Sequence, residues 1–202
     1  MMSLLAIAAL LLGILCGVLH VDHFLLSLIT SNTDIILYIL MFSVGISVGL
    51  HSGILEKIKK YHLKILLIPL GVIIASVAGG ALCALLIGYP LNISTAIASG
   101  LGWYSLTGIT VTSLAGAQFG SIAFLSNLMR ELFSFFSIPF IARHFNKYAC
   151  IAVAGATSED TTLPMMIKYT DEEAVVISVF NGVICSAAVA PLIALCYNCL
   201  CV

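Results

Sequence analysis

Ten residues, Gly155-Ala-Thr-Ser-Glu-Asp-Thr-Thr-Leu-Pro164, put two carboxylates and four hydroxyls in the middle of an otherwise apolar run. The chain around them is poor in charge: 61% of its 202 residues are hydrophobic and 8% charged, with a mean hydropathy of +1.18, against about a quarter charged in an ordinary soluble domain. Such a chain reads as an integral membrane protein, and the polar decapeptide must then be held at membrane depth. Gly155 suits the end of one helical arm and Pro164 the first turn of the next. The segment therefore predicts a broken helix with irregular backbone between its arms. Irregular backbone persists inside a bilayer only where protein or a water-filled cavity satisfies its polar groups, which points to a solute path.

The rest of the sequence predicts an all-α membrane fold in a single domain, residues 1–202, with full spans at about 3–19, 35–50, 65–88, 119–141 and 174–197. The first is expected to be a retained span and not a cleaved signal. Gly13 and Gly17, Gly45 and Gly49, and Gly79 with Gly80 allow neighbouring helices to approach closely. Lys57, Lys59, Lys60 and Lys64 are half of the eight Lys and Arg residues, so the loop 51–64 is expected in the cytoplasm, as is 143–147 with Arg143 and Lys147. Gly88 and Phe119 then both lie outside. Residues 91–117 must enter and leave by that face as a re-entrant hairpin, its tip at Gly100 to Ser105, where Trp103, Tyr104 and Ser105 offer stacking and hydrogen bonds; an interfacial aromatic belt is the alternative. Residues 148–170 are expected to form a second hairpin opposed to the first, with one interrupted span as the alternative. Two opposed broken elements are the layout of an inverted-repeat secondary transporter.

Within this frame Glu131 falls near the middle of its span, where a charge costs roughly 2.5–3.5 kcal/mol on insertion scales and marks a functional site by default. Asn127, Glu131 and Ser134 form one polar stripe. Arg130 points about 100° away and needs its own partner. A structural ion pair of Arg130 with Glu159 or Asp160 is one reading and leaves Glu131 for a proton or a solute cation. The hydroxyls of Thr157, Ser158, Thr161 and Thr162, and Asn181 in the last span, complete the candidate substrate and proton site. Helix N-termini near Thr162 and Ser105 are expected to face a substrate carboxylate.

Other chemistries find little support. The sequence holds no His-Glu-x-x-His run, no Gly-x-Ser-x-Gly elbow, no phosphate loop and no basic patch for nucleic acid. Asp160 is the only aspartate in a predicted membrane segment, so an intramembrane aspartyl hydrolase lacks its second acid. Of seven cysteines, Cys16, Cys83, Cys150 and Cys185 lie in apolar runs, and Cys196, Cys199 and Cys201 lack the second pair or histidines of a zinc site. The expectation is a transporter that is not an enzyme and carries no metal or cofactor; a passive channel or a structural subunit of a transport complex is the alternative.

Three blocks in order, Gly102-Trp-Tyr-Ser-Leu-Thr-Gly108, Gly120-Ser-Ile-Ala-Phe-Leu-Ser-Asn-Leu-Met-Arg-Glu131 and Gly155 to Pro164, resemble those of the LysO-type lysine exporters. The resemblance implies export of L-lysine or a related cationic amino acid across the bacterial cytoplasmic (inner) membrane. In that reading Glu131 and Asp160 serve the substrate ammonium groups or a counter-moving proton, as in an antiporter. Family members carry an additional N-terminal membrane portion. The chain is accordingly expected to be the larger half of a split exporter, completed by a short membrane protein, with homo-oligomers as a further option.

Overall fold

The computed structural model describes residues 64–199 and the isolated helical positions 12, 15, 16, 35, 39 and 42. The expected span 3–19, most of 35–50 and the basic loop up to residue 63 lie outside the described residues. Seven α-helices follow one another among those described: α1 (Lys64–Ile87), α2 (Leu91–Ala98), α3 (Tyr104–Ala115), α4 (Ala117–His144), α5 (Lys147–Ala154), α6 (Leu163–Tyr169) and α7 (Glu172–Cys199). A single 3₁₀ turn, Gly155–Glu159, links α5 towards α6.

Among the described residues two helices are long and apolar enough to cross a membrane, with mean hydropathy 2.5 over Leu66–Ile87 and 2.1 over Glu172–Cys199. On α1 the large side chains Leu66, Leu67, Leu70, Ile74, Leu82 and Leu85 are exposed. A contiguous apolar row of this kind is rare on a protein bathed in water and ordinary on one bathed in lipid. α4 has 28 residues and buries Gly120, Ala123, Asn127, Glu131, Ser134 and Ile138, a stripe at helical spacing that carries the polar groups inward.

Between α1 and α7, α2 with α3 and α5 with α6 form two broken helix pairs, one before and one after α4 in the chain. Tyr89, just before α2, packs edge-on against Phe119, just after α3, with ring centroids 5.8 Å apart. The Tyr197 hydroxyl near the end of α7 donates to Leu114 O at 2.7 Å, and Asn92 Nδ2 donates to Tyr197 O at 3.4 Å. Both outer ends of the α2–α3 pair therefore meet at one end of the bundle. At the other end Lys147 Nζ reaches Asp171 Oδ2 at 2.8 Å and Glu173 Oε2 at 2.6 Å. Both outer ends of the α5–α6 pair meet there.

Each hairpin has its own packing centre. Leu101, Leu106 and Val111 of the first gather with Ala123 of α4 and Val189 and Ile193 of α7. Ile151 and Met166 of the second gather with Ile138 of α4 and Ile177 of α7. Among lipid tails such contacts hold by close packing, since lipid is as apolar as the side chains themselves.

The breaks differ in detail from the sequence reading. Gly155 does end α5, with φ +62°, and Pro164 sits in the first turn of α6. The residues between begin as a 3₁₀ turn and are not irregular throughout, because Thr157 Oγ1 donates to Ala154 O and Ser158 Oγ to Gly155 O, both at 2.8 Å. Such local back-bonding tightens a chain that has left the α-helix. In the first hairpin the turn is shorter than expected. Tyr104 and Ser105, placed at the tip by sequence, already belong to α3.

Candidate functional site

The two hairpin tips touch. Ala156 N donates to Leu101 O at 3.0 Å, joining the second tip to the first through the backbone. Gly155 makes this approach possible, since a Cβ there would stand 2.5 Å from Leu101 O and its φ of +62° disfavours any other residue. Each tip is also held by one asparagine of the long helix that follows it. Asn127 Oδ1 accepts from Gly102 N at 2.9 Å, and its Nδ2 donates to Ile97 O at 2.9 Å. Asn181 Nδ2 donates to Gly155 O and approaches Ser158 Oγ, both at 2.9 Å. Both asparagines are buried, and both serve main-chain groups that a broken helix leaves without partners.

Three of the four hydroxyls singled out in the sequence are likewise occupied. Thr157 and Ser158 close the 3₁₀ turn, with Ser158 Oγ also 2.8 Å from Ser178 O, and Thr162 Oγ1 donates to Thr157 O at 2.9 Å. They build the break in the helix. Thr161 Oγ1 has no hydrogen-bond partner among the described residues. The expected anion site at the start of α6 is also consumed internally: Thr162 N donates to Thr157 O, Leu163 N to Asp160 O and Met165 N to Thr162 O, while Pro164 has no N–H to offer. Trp103 and Ser105 close on each other, Nε1 donating to Oγ at 3.1 Å.

The three acidic groups differ in their surroundings. Glu131 is 3% exposed on the inner face of α4. Tyr104, at the start of α3, lies within electrostatic reach of both Glu131 and Asp160 and packs edge-on against Phe124 at 5.1 Å. Asp160 is exposed, its Oδ1 accepting from Thr161 N. Glu159 Oε1 accepts from Ser186 Oγ at 2.9 Å, and its Cβ presses against Gly182 of α7, where an added Cβ would meet it at 2.5 Å.

Arg130 departs from the ion-pair reading. Its Nη1 donates to Ser76 Oγ of α1 at 3.0 Å, Nη2 lies against Gly155, and among the described residues no ion pair joins it to Glu159 or Asp160. The guanidinium faces a cavity of about 920 Å³ between α1, α2, α4 and α5, lined among others by Ser76, Ser126, Asn127 and Arg130. Ser76 and Ser126 were not singled out in the sequence. The only signal for Ser76 was a hydroxyl within a long apolar span, which is common in packing roles too.

Where the second hairpin opens, Lys147 bridges Asp171 and Glu173. The Asp171 carboxylate raises the Lys147 ammonium above its ordinary value, and Lys147 holds Asp171 below the usual carboxylate range. Asp171 Oδ1 also accepts from Ala174 N at 2.9 Å, capping α7.

The family described as "Lysine exporter LysO" matches residues 7–197. The chain is 34% identical over 165 residues to "Lysine exporter LysO" of Escherichia coli (strain K12), a stretch that is 82% of this chain and 54% of that one. It is 33% identical over 178 residues to a protein of Haemophilus influenzae (strain ATCC 51907 / DSM 11121 / KW20 / Rd) named "Putative lysine exporter", 88% of this chain and 89% of that one. The chain thus spans about half the length of the E. coli protein and most of the H. influenzae one. No solved structure matches it. With its three sequence blocks at the tips of the two hairpins and on α4, the chain belongs to the lysine exporter LysO family.

Proposed function

We propose that this chain is a secondary transporter that exports L-lysine or a closely related cationic amino acid across a bacterial cytoplasmic membrane. The observation that carries this reading is the meeting of two opposed hairpin tips, Ala156 N to Leu101 O at 3.0 Å, beside the buried Glu131. A carboxylate kept at that depth is expensive and gains its place by exchanging a proton or a cation. Glu131, with Tyr104 and Asp160 near it, takes the substrate ammonium or the counter-moving proton, which makes the protein an antiporter. In this reading the hairpins are re-entrant, and the loops 51–64 and 143–147 face the cytoplasm. Alternating access then consists of the hairpins exposing the region of the tips to one side at a time. A short membrane protein, or further copies of the chain, would cover the exposed leucine row of α1.

Purified protein in proteoliposomes tests this. Labelled lysine is expected to move saturably, to be accelerated by unlabelled lysine on the opposite side, and to accumulate when a pH gradient is imposed. Linear, unsaturable flux would make the chain a channel, and no lysine flux with or without a gradient would overturn the transporter reading.

A further inference from the structure

Resting on the export reading, we infer that Arg130 binds the carboxylate of the transported amino acid. A guanidinium offers five N–H donors in a planar fork that matches a carboxylate. Among the described residues, Ser76 Oγ is the hydrogen-bond acceptor that Arg130 reaches. Among the described residues no ion pair to an acid balances its charge there. A half-buried cation held by one neutral hydroxyl among the described residues is a costly arrangement at membrane depth, and an arriving anion relieves it.

The surroundings fit an amino-acid carboxylate. Arg130 lines the cavity of about 920 Å³ and is the one charged residue among the described residues that line it. Ser126 and Asn127 of the same helix stand beside it on the wall, and Tyr89 and Tyr148 line it towards opposite ends of the bundle. The cavity therefore runs along the height of the protein with Arg130 partway between its ends. Arg130 Nη2 also lies against Gly155, at the junction of the two tips, so an anion bound there sits where the hairpins meet. The competing anion site, the start of α6, has its amides bonded within its own turn. Arg130 and Glu131 are neighbours in sequence and diverge by about 100° around α4. The carboxylate is thus held on the cavity side of α4, away from the direction of Glu131.

Carboxylate and lipid phosphate share this chemistry, and the test separates them. Binding of lysine and of cadaverine, the diamine that lysine becomes without its carboxylate, is measured in nanodiscs by calorimetry for the wild-type chain, Arg130→Gln and Arg130→Lys. Each is measured in zwitterionic lipid and again with phosphatidylglycerol added. The wild type is expected to prefer lysine. Arg130→Gln should lose about ten- to a hundredfold of lysine affinity, the range for a charge-assisted hydrogen bond, while cadaverine changes less than about twofold, the scatter of substitutions outside the contact. Arg130→Lys, which keeps the charge without the fork, should fall between, and it carries the test if Arg130→Gln does not fold. Equal losses for lysine and cadaverine, or a lysine loss confined to bilayers with phosphatidylglycerol, would overturn the assignment. Lysine bound with unchanged preference in both variants overturns it while leaving the export reading intact, whereas a wild type that binds neither compound overturns both.

Discussion

The two hairpins share a scaffold and differ in what they carry. Each begins with an eight-residue helix, α2 or α5, turns at a glycine of positive φ, and is followed by a 28-residue helix whose buried asparagine holds the turn. Four residues after that asparagine comes Glu131 in α4 and Cys185 in α7. The second arms differ, twelve residues in α3 and seven in α6. The first tip presents Leu101 and Trp103, and the second Glu159 and Asp160. The scaffold thus appears twice, with a carboxylate behind one asparagine and a thiol behind the other. The comparison separates the groups that hold each helix pair in place from the neighbouring groups that differ between them.

The sharpest break in this symmetry is predicted at Glu131 and Cys185. Glu131→Gln keeps shape and hydrogen bonds but cannot change charge, so export should stop while membrane yield and melting temperature persist. Were Glu131 only half of a structural pair, the loss would be about 3–5 kcal/mol and yield would collapse in parallel. Cys185→Ala, at the matching position, should leave export within about twofold, as for a buried cysteine that packs as a small hydrophobe. Unchanged export in Glu131→Gln would remove the distinction between the two halves.

A second test asks whether the hairpins are held alike. Asn127→Ala and Asn181→Ala each leave buried main-chain groups unsatisfied, at about 1–3 kcal/mol. Thermal melts of the two variants should fall by similar amounts; a loss in one alone would show that the matched contacts differ in weight. Gly155→Ala and Gly102→Ala sharpen the point at the tips. Both positions have positive φ, but a Cβ at Gly155 meets Leu101 O at 2.5 Å while one at Gly102 comes no nearer than 3.6 Å to Thr157. The alanine at 155 is therefore expected to cost more than the roughly 1–2 kcal/mol of a left-handed residue alone, and the one at 102 close to that amount.

The smallest effect is expected at the mouth of the second hairpin, for which the first has no charged equivalent among the described residues. Asp171 is held below its ordinary range, so its contribution is complete above its unfolded value and fades as pH falls through the lowered one. Lys147 is raised, so its contribution is complete below its unfolded value and fades only as pH rises through the raised one. Lys147→Met should accordingly give a slight drop in melting temperature that is flat near neutrality and shrinks in acid. A drop that grows on acidification would contradict the pairing of these side chains.

The sequence was most informative where chemistry is local. Gly155 and Pro164 mark their helix ends because positive φ and a missing N–H act within a turn. Charge placement led to the expectation of opposed re-entrant hairpins; what the structure shows is that the outer ends of each helix pair come together. The hydroxyls were harder to read. In isolation Thr157, Ser158 and Thr162 look like ligand groups, but a broken helix leaves carbonyls and amides unsatisfied, and the nearest hydroxyls serve those first. Arg130 was read against Glu159 and Asp160, the charges available in the sequence. Its direction depends on how α1 is rotated against α4, which places Ser76 in front of it, and no local pattern encodes that rotation.

The bond between Ala156 N and Leu101 O joins the hairpins main chain to main chain. Its donor and acceptor belong to every residue type except proline at 156, so mutational drift at these two positions can reshape the packing around the junction without erasing it. The burden of inheritance falls on the neighbour that touches neither atom of the bond, Gly155, whose missing side chain leaves the space in which the two backbones meet.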